Sequence, residues 1–580
     1  MPFGVNPFSR HDHHNFPGVV VPLSSAPTHS KLSSDPEKKV GPDEKTDDGS
    51  LDRSSAEHGV GSVHSHQQSQ DDHLTIEILR AEVENDLAAS GQDSAYDRKA
   101  KVINRAIQDI GMGRYQWELF VLCGFGWLAD NLWLQGVALT LPQLSLEFGV
   151  DENNVRFTTC ALFVGLCIGA SFWGIASDII GRRPAFNFTL MISGVFGLAS
   201  GGGPNWVGTC ALYACLGLGV GGNLPVDGAL FLEFLPFASG NLLTMLSVWW
   251  PVGNLISSLL AWAFIPNFTC PSTGPCTKEQ NMGWRYLVIT LGAITFVMFI
   301  CRFFLFHLYE SPKFLLSRGR QDDAVAAVHG IAYKNHVKTW LTVEILNEIG
   351  GYPEESTNTQ SLSNKQIVQR YMSKFSLNRI RGLFATKKLG ISTVILWFCW
   401  TTIGMGYPLF NAFLPQYLSR AGGETSQPTS IVYRNYAITS VVGLPGSVLA
   451  CYTVDLKYVG RKGTMTIATL ITGVLLFCFT ASTDSNIQLV CSSLEAFFQN
   501  IMYGVLYAYT PEVFPAPYRG TGSGISSCLN RIAGLCAPIV AIYGGSANPD
   551  APIYASGALI LAAFVAMIFL PIETRGRQTL

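Results

Sequence analysis

The chain has 580 residues, of which 48% are apolar and only 14% are charged, and its formal net charge is −2 at pH 7. Globular proteins carry about 25% charged residues, so this composition argues against a water-soluble protein and indicates a chain largely embedded in lipid, where a central charge costs roughly 2.5–3.5 kcal/mol. The small net charge argues against a polyanionic partner such as nucleic acid.

The first 115 residues are predicted to be a disordered cytosolic tail that contains short amphipathic helices. Residues 1–74 are rich in Ser, Asp, Gly, Pro and His and poor in large apolar residues, a composition typical of disorder. Further along, apolar residues from Val102 to Ile110 recur at helical spacing beside several basic residues. This helix is expected to lie on the membrane surface.

Twelve apolar runs follow, each near the ~20 residues that a helix needs to span a bilayer. They cover roughly 117–141, 156–177, 185–203, 206–229, 241–265, 285–307, 390–418, 432–454, 464–482, 487–510, 520–543 and 552–571. The chain therefore divides into an N-terminal six-helix bundle (116–308), a cytosolic central loop with short helices (309–388), a C-terminal six-helix bundle (389–572) and a cytosolic C-terminus (573–580). The predicted class is an all-α membrane protein with twelve transmembrane helices.

Basic residues in the short loops set the orientation. Arg182 and Arg183 follow the second run, Arg461 and Lys462 follow the eighth, and the central loop is also basic. All of these lie on one side if both termini are cytosolic. The plasma membrane is the expected location, with vacuolar or other endomembranes as alternatives.

The opposite face is expected to be the oxidising one. Asn267 begins the sequon Asn-Phe-Thr, which makes it a glycosylation candidate. Cys270 and Cys276 follow at once, and they are candidates for a local disulfide.

Two unlike motifs recur at one spacing. Gly181 and Gly460, each followed by two basic residues, are 279 residues apart, and so are Glu233 and Glu512, which each open a Glu-x-x-Pro segment. This repetition predicts a duplicated membrane unit.

Among the charges that lie inside apolar runs, four are the candidates for function, namely Asp130, Asp227, Glu495 and Arg531. Each either clamps helices together or serves function. A carboxylate in a low dielectric can bind and release a proton near neutral pH, whereas arginine stays charged and suits an anion. Asp130 is therefore the candidate proton carrier and Arg531 the candidate anion site. Polar and aromatic residues that could line the same cavity are Asn131, Gln135, Asn223, Asn254, Trp400, Tyr407, Asn411, Gln499 and Asn530.

Over about residues 110–580, the chain resembles the major facilitator superfamily, and within it the sugar-porter and synaptic-vesicle-protein-like, organic-ion-transporter-like branches. The resemblance rests on the loop around Gly181, on the segments at Tyr309–Leu316 and Pro571–Gly576, and on Tyr509–Pro515. It implies two pseudo-symmetric six-helix bundles, a central site and alternating access. It also implies a cytoplasmic gate formed by Gly174, Asp178, Gly181, Arg182, Arg183, Glu233, Asp455, Arg461, Lys462, Glu512 and Arg519.

The chain departs from the sugar and phosphate members of that superfamily at several positions. Tyr213 stands where many of them carry an arginine, Asn223 stands where phosphate symporters carry an acid, and the glutamine cluster of sugar porters is not evident around 400–411. These departures argue against a hexose, and Arg531 favours a small organic anion.

The expected function is secondary active transport, as proton-coupled symport of a small organic solute with a carboxylate favoured. The alternatives are a facilitative uniporter or exchanger for a sugar or an organic cation, and a non-transporting membrane sensor. An enzyme is not expected, because no nucleophile–base pair, phosphate loop or metal cluster is evident. The expected partners are a small-molecule substrate, protons and the lipid bilayer, with no cofactor or metal, and the expected state is a monomer.

Overall fold

The computed structural model of the protein describes residues 16, 18–25, 74–90, 95–236, 241–270, 276–351, 377–420, 428–454, 456, 459–514, 518–545 and 548–574. Over these residues the chain is built from helices joined mostly by short loops. Those of the N-terminal half are α1 (Ile76–Ser90), α2 (Ala95–Ile110), α3 (Arg114–Phe148), α4 (Phe157–Ile180), α5 (Arg182–Ser200), α6 (Trp206–Phe234), α7 (Asn241–Leu246), α8 (Trp249–Phe264) and α9 (Gly283–Ile300). After a π-helical turn, Cys301–Leu305, the central loop contains α10 (Pro312–Ser317), α11 (Gln321–Lys334), α12 (Val343–Gly350) and α13 (Leu377–Gly382). The C-terminal half contains α14 (Lys387–Asn411), α15 (Leu414–Arg420), α16 (Thr429–Thr453), α17 (Gly460–Ala481), α18 (Ser485–Val513), α19 (Arg519–Gly545) and α20 (Ala551–Ile568).

Helices cover all twelve predicted apolar runs, and nine helices of the described chain are long and apolar enough to cross a membrane. A helix satisfies its own backbone hydrogen bonds, which is what lipid requires. The fifth run differs from the expectation because it is interrupted between α7 and α8, which leaves α8 with only 16 residues. The prediction of an all-helical membrane fold is confirmed.

The two halves pack their helices in the same pattern. In the N-terminal half α4 and α5 pack on α6, α5 also packs on α9, and α3 packs on α8. In the C-terminal half α16 and α17 pack on α18, α17 also packs on α20, and α14 packs on α19. The pairings correspond one to one in chain order, as a duplicated unit requires. Across the junction, α8 packs on α16 and α4 packs on α19.

The segments before α3 pack on the central loop. The apolar residues of α2, including Val102 and Ile107, are buried, and α2 contacts α10, α11 and α12. The prediction that this helix lies on the membrane surface is therefore wrong, because protein rather than lipid covers its apolar face.

The predicted disorder does not hold for all of the tail. Val19 is buried, and its carbonyl oxygen accepts a 2.8 Å hydrogen bond from the amide of Thr339. The Val21 amide donates in return to the Thr339 carbonyl at 3.0 Å. Composition alone missed this segment because a partner from the central loop satisfies its backbone groups.

Candidate functional site

A small cavity lies between the two halves, near the middle of the helices. Its volume is about 30 Å³, room for about two water molecules. Its polar lining comes from both halves. These residues are Gln135 on α3, Asn254 on α8, Asn411 on α14, Tyr436, Thr439 and Ser440 on α16, and Asn500 on α18. Three of the predicted cavity residues, Gln135, Asn254 and Asn411, are therefore brought together.

An aromatic layer separates the cavity from the ends of the bundles that carry Gly181 and Gly460. Trp127 of α3 stacks on Trp250 of α8 with ring centroids 4.6 Å apart. Trp250 meets Tyr507 of α18 at 4.8 Å, and Tyr507 meets Trp400 of α14 at 4.6 Å. Trp400 and Tyr507 belong to the C-terminal half, and Trp127 and Trp250 belong to the N-terminal half, so contacts within this layer hold the two halves together. Trp400 thus belongs to this layer rather than to the cavity lining.

Arg156, just before α4, forms a second link on the opposite side of the cavity. The Arg156 side chain is fully buried. Its Nε donates to Gln416 Oε1 at 3.0 Å, and its Nη1 donates to the Ala541 carbonyl at 2.8 Å. Nearby, the Tyr433 hydroxyl donates to the Leu139 carbonyl at 2.8 Å. All three bonds join one half to the other, so the cavity is closed by contacts between the halves on both sides.

Asp130 and Arg531 lie on opposite halves and within electrostatic range of each other. Asp130 is only 6% exposed. Arg531 Nη2 donates across the junction to the Gly221 carbonyl at 3.5 Å. Tyr507 of the aromatic layer lies within range of both charges. The structure therefore places the candidate proton carrier and the candidate anion site on opposite sides of the junction between the halves, close enough to influence each other electrostatically.

Asp227 has a partner that the sequence interpretation missed. Arg302 Nη2 donates to Asp227 Oδ2 at 2.6 Å, and both side chains are fully buried. Arg302 also donates to the carbonyls of Leu122 and Phe186, each at 2.9 Å. A guanidinium bonded on three sides is a fixed element of the packing, so the geometry favours the clamp interpretation of Asp227 over a role in transport.

Glu495 is 1% exposed, and among the described residues neither of its carboxylate oxygens has a hydrogen-bond partner. The side-chain amide of Asn411 is close enough to interact with the Glu495 carboxyl group, and its Nδ2 donates to Gln499 Oε1 at 3.1 Å. Tyr407 and Tyr436 lie within electrostatic range of Glu495. A buried carboxylate thus lies within interaction range of two residues of the cavity lining, Asn411 and Tyr436.

Other buried polar atoms near the cavity also lack partners among the described residues. They are Gln135 Nε2, Asn254 Oδ1, Asn530 Oδ1, and the indole nitrogens of Trp127 and Trp250. Buried polar atoms are nearly always hydrogen-bonded, so such a concentration needs an explanation. A polar ligand would supply it. Two other predicted residues, Asn131 and Asn223, are not part of the cavity lining. Asn131 is half-buried. Asn223 is fully buried, and its side chain donates to the Gly126 carbonyl at 3.4 Å.

The predicted gate residues meet half-buried acids that were not among the predicted gate residues. The backbone amides of Arg182 and Arg183 donate to Glu310 at 2.9 and 3.3 Å. In the other half the amides of Arg461 and Lys462 donate to Glu573, both at 3.2 Å. The two halves therefore share one construction, in which an acid after the last helix caps the helix that begins with the basic pair.

The same loops contain the predicted ion pairs and turns. Arg182 pairs with Glu233 at 3.5 Å, and Arg461 pairs with Glu512. Gly181 and Gly460 adopt φ of +112° and +61°, which an L side chain rarely adopts. Gly174 is half-buried in α4. Asp455 and the side chains of Asp178 and Arg519 lie outside the described residues.

The opposite face carries the other predicted features. Cys270 and Cys276 form a disulfide with a Cα–Cα distance of 5.5 Å. Asn267 Nδ2 donates to the Ala263 carbonyl at 2.8 Å. Within the described ranges, no group of three or more metal-binding side chains is present.

Comparison with known proteins places this geometry in a family. The model of the Major Facilitator Superfamily matches residues 120–456 and 435–580. The chain is 46% identical to "MFS siderochrome iron transporter 1" of Ceriporiopsis subvermispora, over 84% of this chain and 93% of that protein. It is 41% identical to "Major facilitator-type transporter hxnZ" of Emericella nidulans, over 88% and 93%. It is 28% identical to "Synaptic vesicle 2-related protein" of Xenopus laevis, over 82% of each.

Solved structures share the fold. The proton:xylose symporter XylE bound to 6-bromo-6-deoxy-D-glucose matches with a TM-score of 0.59 at 18% identity, over 80% of this chain and 98% of that chain. XylE of E. coli in a partially occluded inward-open conformation matches with a TM-score of 0.58 at 18% identity, over 80% and 99%.

Proposed function

Because the chain belongs to the major facilitator superfamily and is a multi-pass membrane transporter rather than an enzyme, we propose that it is a proton-coupled symporter of a small organic anion. In this proposal Asp130 binds and releases the proton, and Arg531 holds the anion. The observation that carries the proposal is that these two side chains, one from each half, are both near the junction and within electrostatic range of each other.

Charge couples the two sites. With the anion absent, Arg531 stabilises the negative charge of Asp130. Anion binding offsets the charge of Arg531, so Asp130 then takes up a proton more readily. By linkage, protonation of Asp130 also favours anion binding. The proton and the anion therefore enter together and leave together.

The contacts above and below the cavity suit alternating access. A cavity of about 30 Å³ is far smaller than an organic solute, for which sites of about 300–1,000 Å³ are usual. The site must therefore open, by parting either the aromatic layer or the link at Arg156. Rocking of the two halves would open one while the other stays closed. With both termini cytosolic, as the basic loops favour, the aromatic layer is the cytoplasmic barrier; the plasma membrane is the proposed location.

Uptake by purified protein in proteoliposomes tests the proposal. With an acidic exterior, wild type should accumulate labelled cyclohexanecarboxylate or benzoate, and Arg531→Gln should not. Asp130→Asn mimics the protonated acid, so it should still exchange internal for external anion but fail to accumulate it. Glu279→Gln, an exposed carboxylate in the outer loop, is the matched control and should behave as wild type. Accumulation that survives Asp130→Asn would contradict proton coupling through this residue.

A ferric siderochrome is a second candidate substrate, because the relative that is 46% identical is named a siderochrome iron transporter. Uptake of a siderochrome loaded with radioactive iron, measured in the same vesicles, distinguishes the organic anion from the ferric siderochrome as substrate. Uptake of the iron complex without competition by the carboxylates would favour the second candidate.

A further inference from the structure

We infer that the transported solute is a zwitterion, whose carboxylate is held by Arg531 and whose positively charged nitrogen is bound by Glu495. This inference rests on the proposed function, since it accepts Arg531 as the anion site. It adds a second binding group and thereby names the substrate class.

The state of Glu495 is the first argument. A carboxylate buried without a partner costs far more than a paired one. Asp227 is equally buried, yet Arg302 pairs with it at 2.6 Å. Glu495 has no such arrangement among the described residues, because no cation pairs with it and only the side-chain amide of Asn411 is near its oxygens. A partner that arrives from outside the protein accounts for this difference.

The position of Glu495 is the second argument. The side chains of Asn411 and Tyr436 line the cavity, and both lie beside Glu495. Because the cavity must grow to admit a solute, a small displacement of these two side chains exposes the carboxylate to it. Tyr407 lies within electrostatic range of both Glu495 and Asp130. Tyr407 therefore lies between Asp130, which is near Arg531, and Glu495.

The rest of the lining is the third argument. The polar part of the cavity lining consists of amides and hydroxyls, which orient a ligand without neutralising a charge. A simple anion would satisfy Arg531 and leave Glu495 unpaired. A simple cation would pair with Glu495 but would be repelled by the positive charge of Arg531. Only a solute with both charges pairs both groups, and this difference produces selectivity.

A charge balance distinguishes the two substrate classes. An anion carried with one proton moves no net charge across the membrane. A zwitterion carried with one proton moves one positive charge. The membrane potential should then drive uptake of a zwitterion, by about ten-fold in accumulation for each ~60 mV.

Three six-membered-ring probes of similar shape test the inference: piperidine-4-carboxylate (zwitterion), cyclohexanecarboxylate (anion) and piperidine (cation). Binding to purified full-length protein is measured by ligand-induced thermal stabilisation at pH 7. Wild type and Glu279→Gln should bind the zwitterion at least ten-fold more tightly than either other probe. Glu495→Gln should lose that preference and bind cyclohexanecarboxylate as wild type does. In proteoliposomes, an inside-negative potassium potential should increase uptake of the zwitterion but not of the anion.

The outcomes separate this inference from the function on which it rests. If wild type binds cyclohexanecarboxylate as tightly as the zwitterion, or if Glu495→Gln keeps the preference, the zwitterion inference is overturned while anion symport stands. If cyclohexanecarboxylate and the zwitterion both fail to bind wild type, the anion site at Arg531 is contradicted and the inference falls with it. Should Glu495→Gln not fold, the ranking of the three probes by wild type and their response to the potential decide the matter.

Discussion

The pair formed by Asp227 and Arg302 allows a quantitative test of which buried acid is structural. The two side chains are 0% exposed and 2.6 Å apart. Arg302 has further acceptors in the carbonyls of Leu122 and Phe186, and its guanidinium lies 3.7 Å from the centroid of the Phe186 ring. Asp227 Oδ1, by contrast, has no partner in the described part of the chain, so Arg302 is the principal support of this carboxylate.

The two single substitutions should therefore differ in cost. Arg302→Met leaves Asp227 buried without a cation and should lower the free energy of unfolding by about 3–5 kcal/mol. Asp227→Asn keeps an acceptor of the same shape and leaves Arg302 bonded to two carbonyls, so about 1.5–3 kcal/mol is expected, the worth of a hydrogen bond to a charged group. In the double variant neither charge remains unpaired. Its cost should fall below the sum of the two single costs by about 2 kcal/mol or more.

Denaturant unfolding in mixed micelles, followed by far-ultraviolet circular dichroism, measures all four proteins. A coupling energy below about 0.5 kcal/mol, or an Arg302→Met variant as stable as wild type, would refute the clamp interpretation. Transport gives a second readout. Folded Asp227→Asn should retain pH-driven accumulation, whereas Asp130→Asn should lose it, and the reverse pattern would assign proton transfer to Asp227.

Three further predictions concern the packing at this pair, the link between the halves and the capped loop. A Cβ at Gly126 would overlap the carboxylate of the buried pair and lie 2.9 Å from its guanidinium, so Gly126→Ala should destabilise by at least about 3 kcal/mol. Gly228→Ala is the control, because a Cβ there meets nothing within 4 Å, and equal effects of the two changes would contradict the packing argument. Arg156→Met removes two hydrogen bonds between the halves, worth about 1.5–3 kcal/mol each. Maleimide labelling of a cysteine introduced into the cavity by Ser440→Cys, followed by mass spectrometry, should then be at least ten-fold faster than with Arg156 present. An unchanged labelling rate would argue against a barrier at Arg156. Burial raises the pKa of Glu310 above its ordinary value of 4.5, against the opposing hydrogen bonds from backbone amides. The folded state thus holds this proton more tightly than the unfolded state, so the contribution of Glu310 to stability falls as pH rises above about 4.5. The stability of Glu310→Gln relative to wild type should then rise between pH 5 and pH 8, by at most ~1.4 kcal/mol per pH unit, and a flat or falling difference would contradict it.

The candidate site was predictable only in part. Asp130 and Arg531 stand out in the sequence because a charge inside an apolar run is costly, and the structure brings the two within electrostatic range of each other. Glu495 and Asp227 stand out for the same reason and equally strongly. Which of the four is paired depends on a residue far along the chain, as with Arg302, 75 positions beyond its partner Asp227.

The elements that close the cavity were not predictable at all. Arg156 lies at the edge of a predicted run, where a basic residue attracts no notice, and its partner Gln416 is 260 positions away. The rings of the aromatic layer resemble any lipid-facing aromatic residue in the sequence. Glu310 and Glu573 became visible only through the backbone amides that they cap.

The sequence by itself determined the features that depend on local chemistry. Apolar length sets where helices cross the membrane, basic loops indicate the orientation, and glycine marks the turns at Gly181 and Gly460. Tertiary structure alone decided the features that depend on neighbours: Asp227 is neutralised by Arg302, whereas no cation in the described part of the chain pairs with Glu495. The physical reason is that the cost of a buried charge is set by what surrounds it in space, and those surroundings come from helices that are distant in the chain.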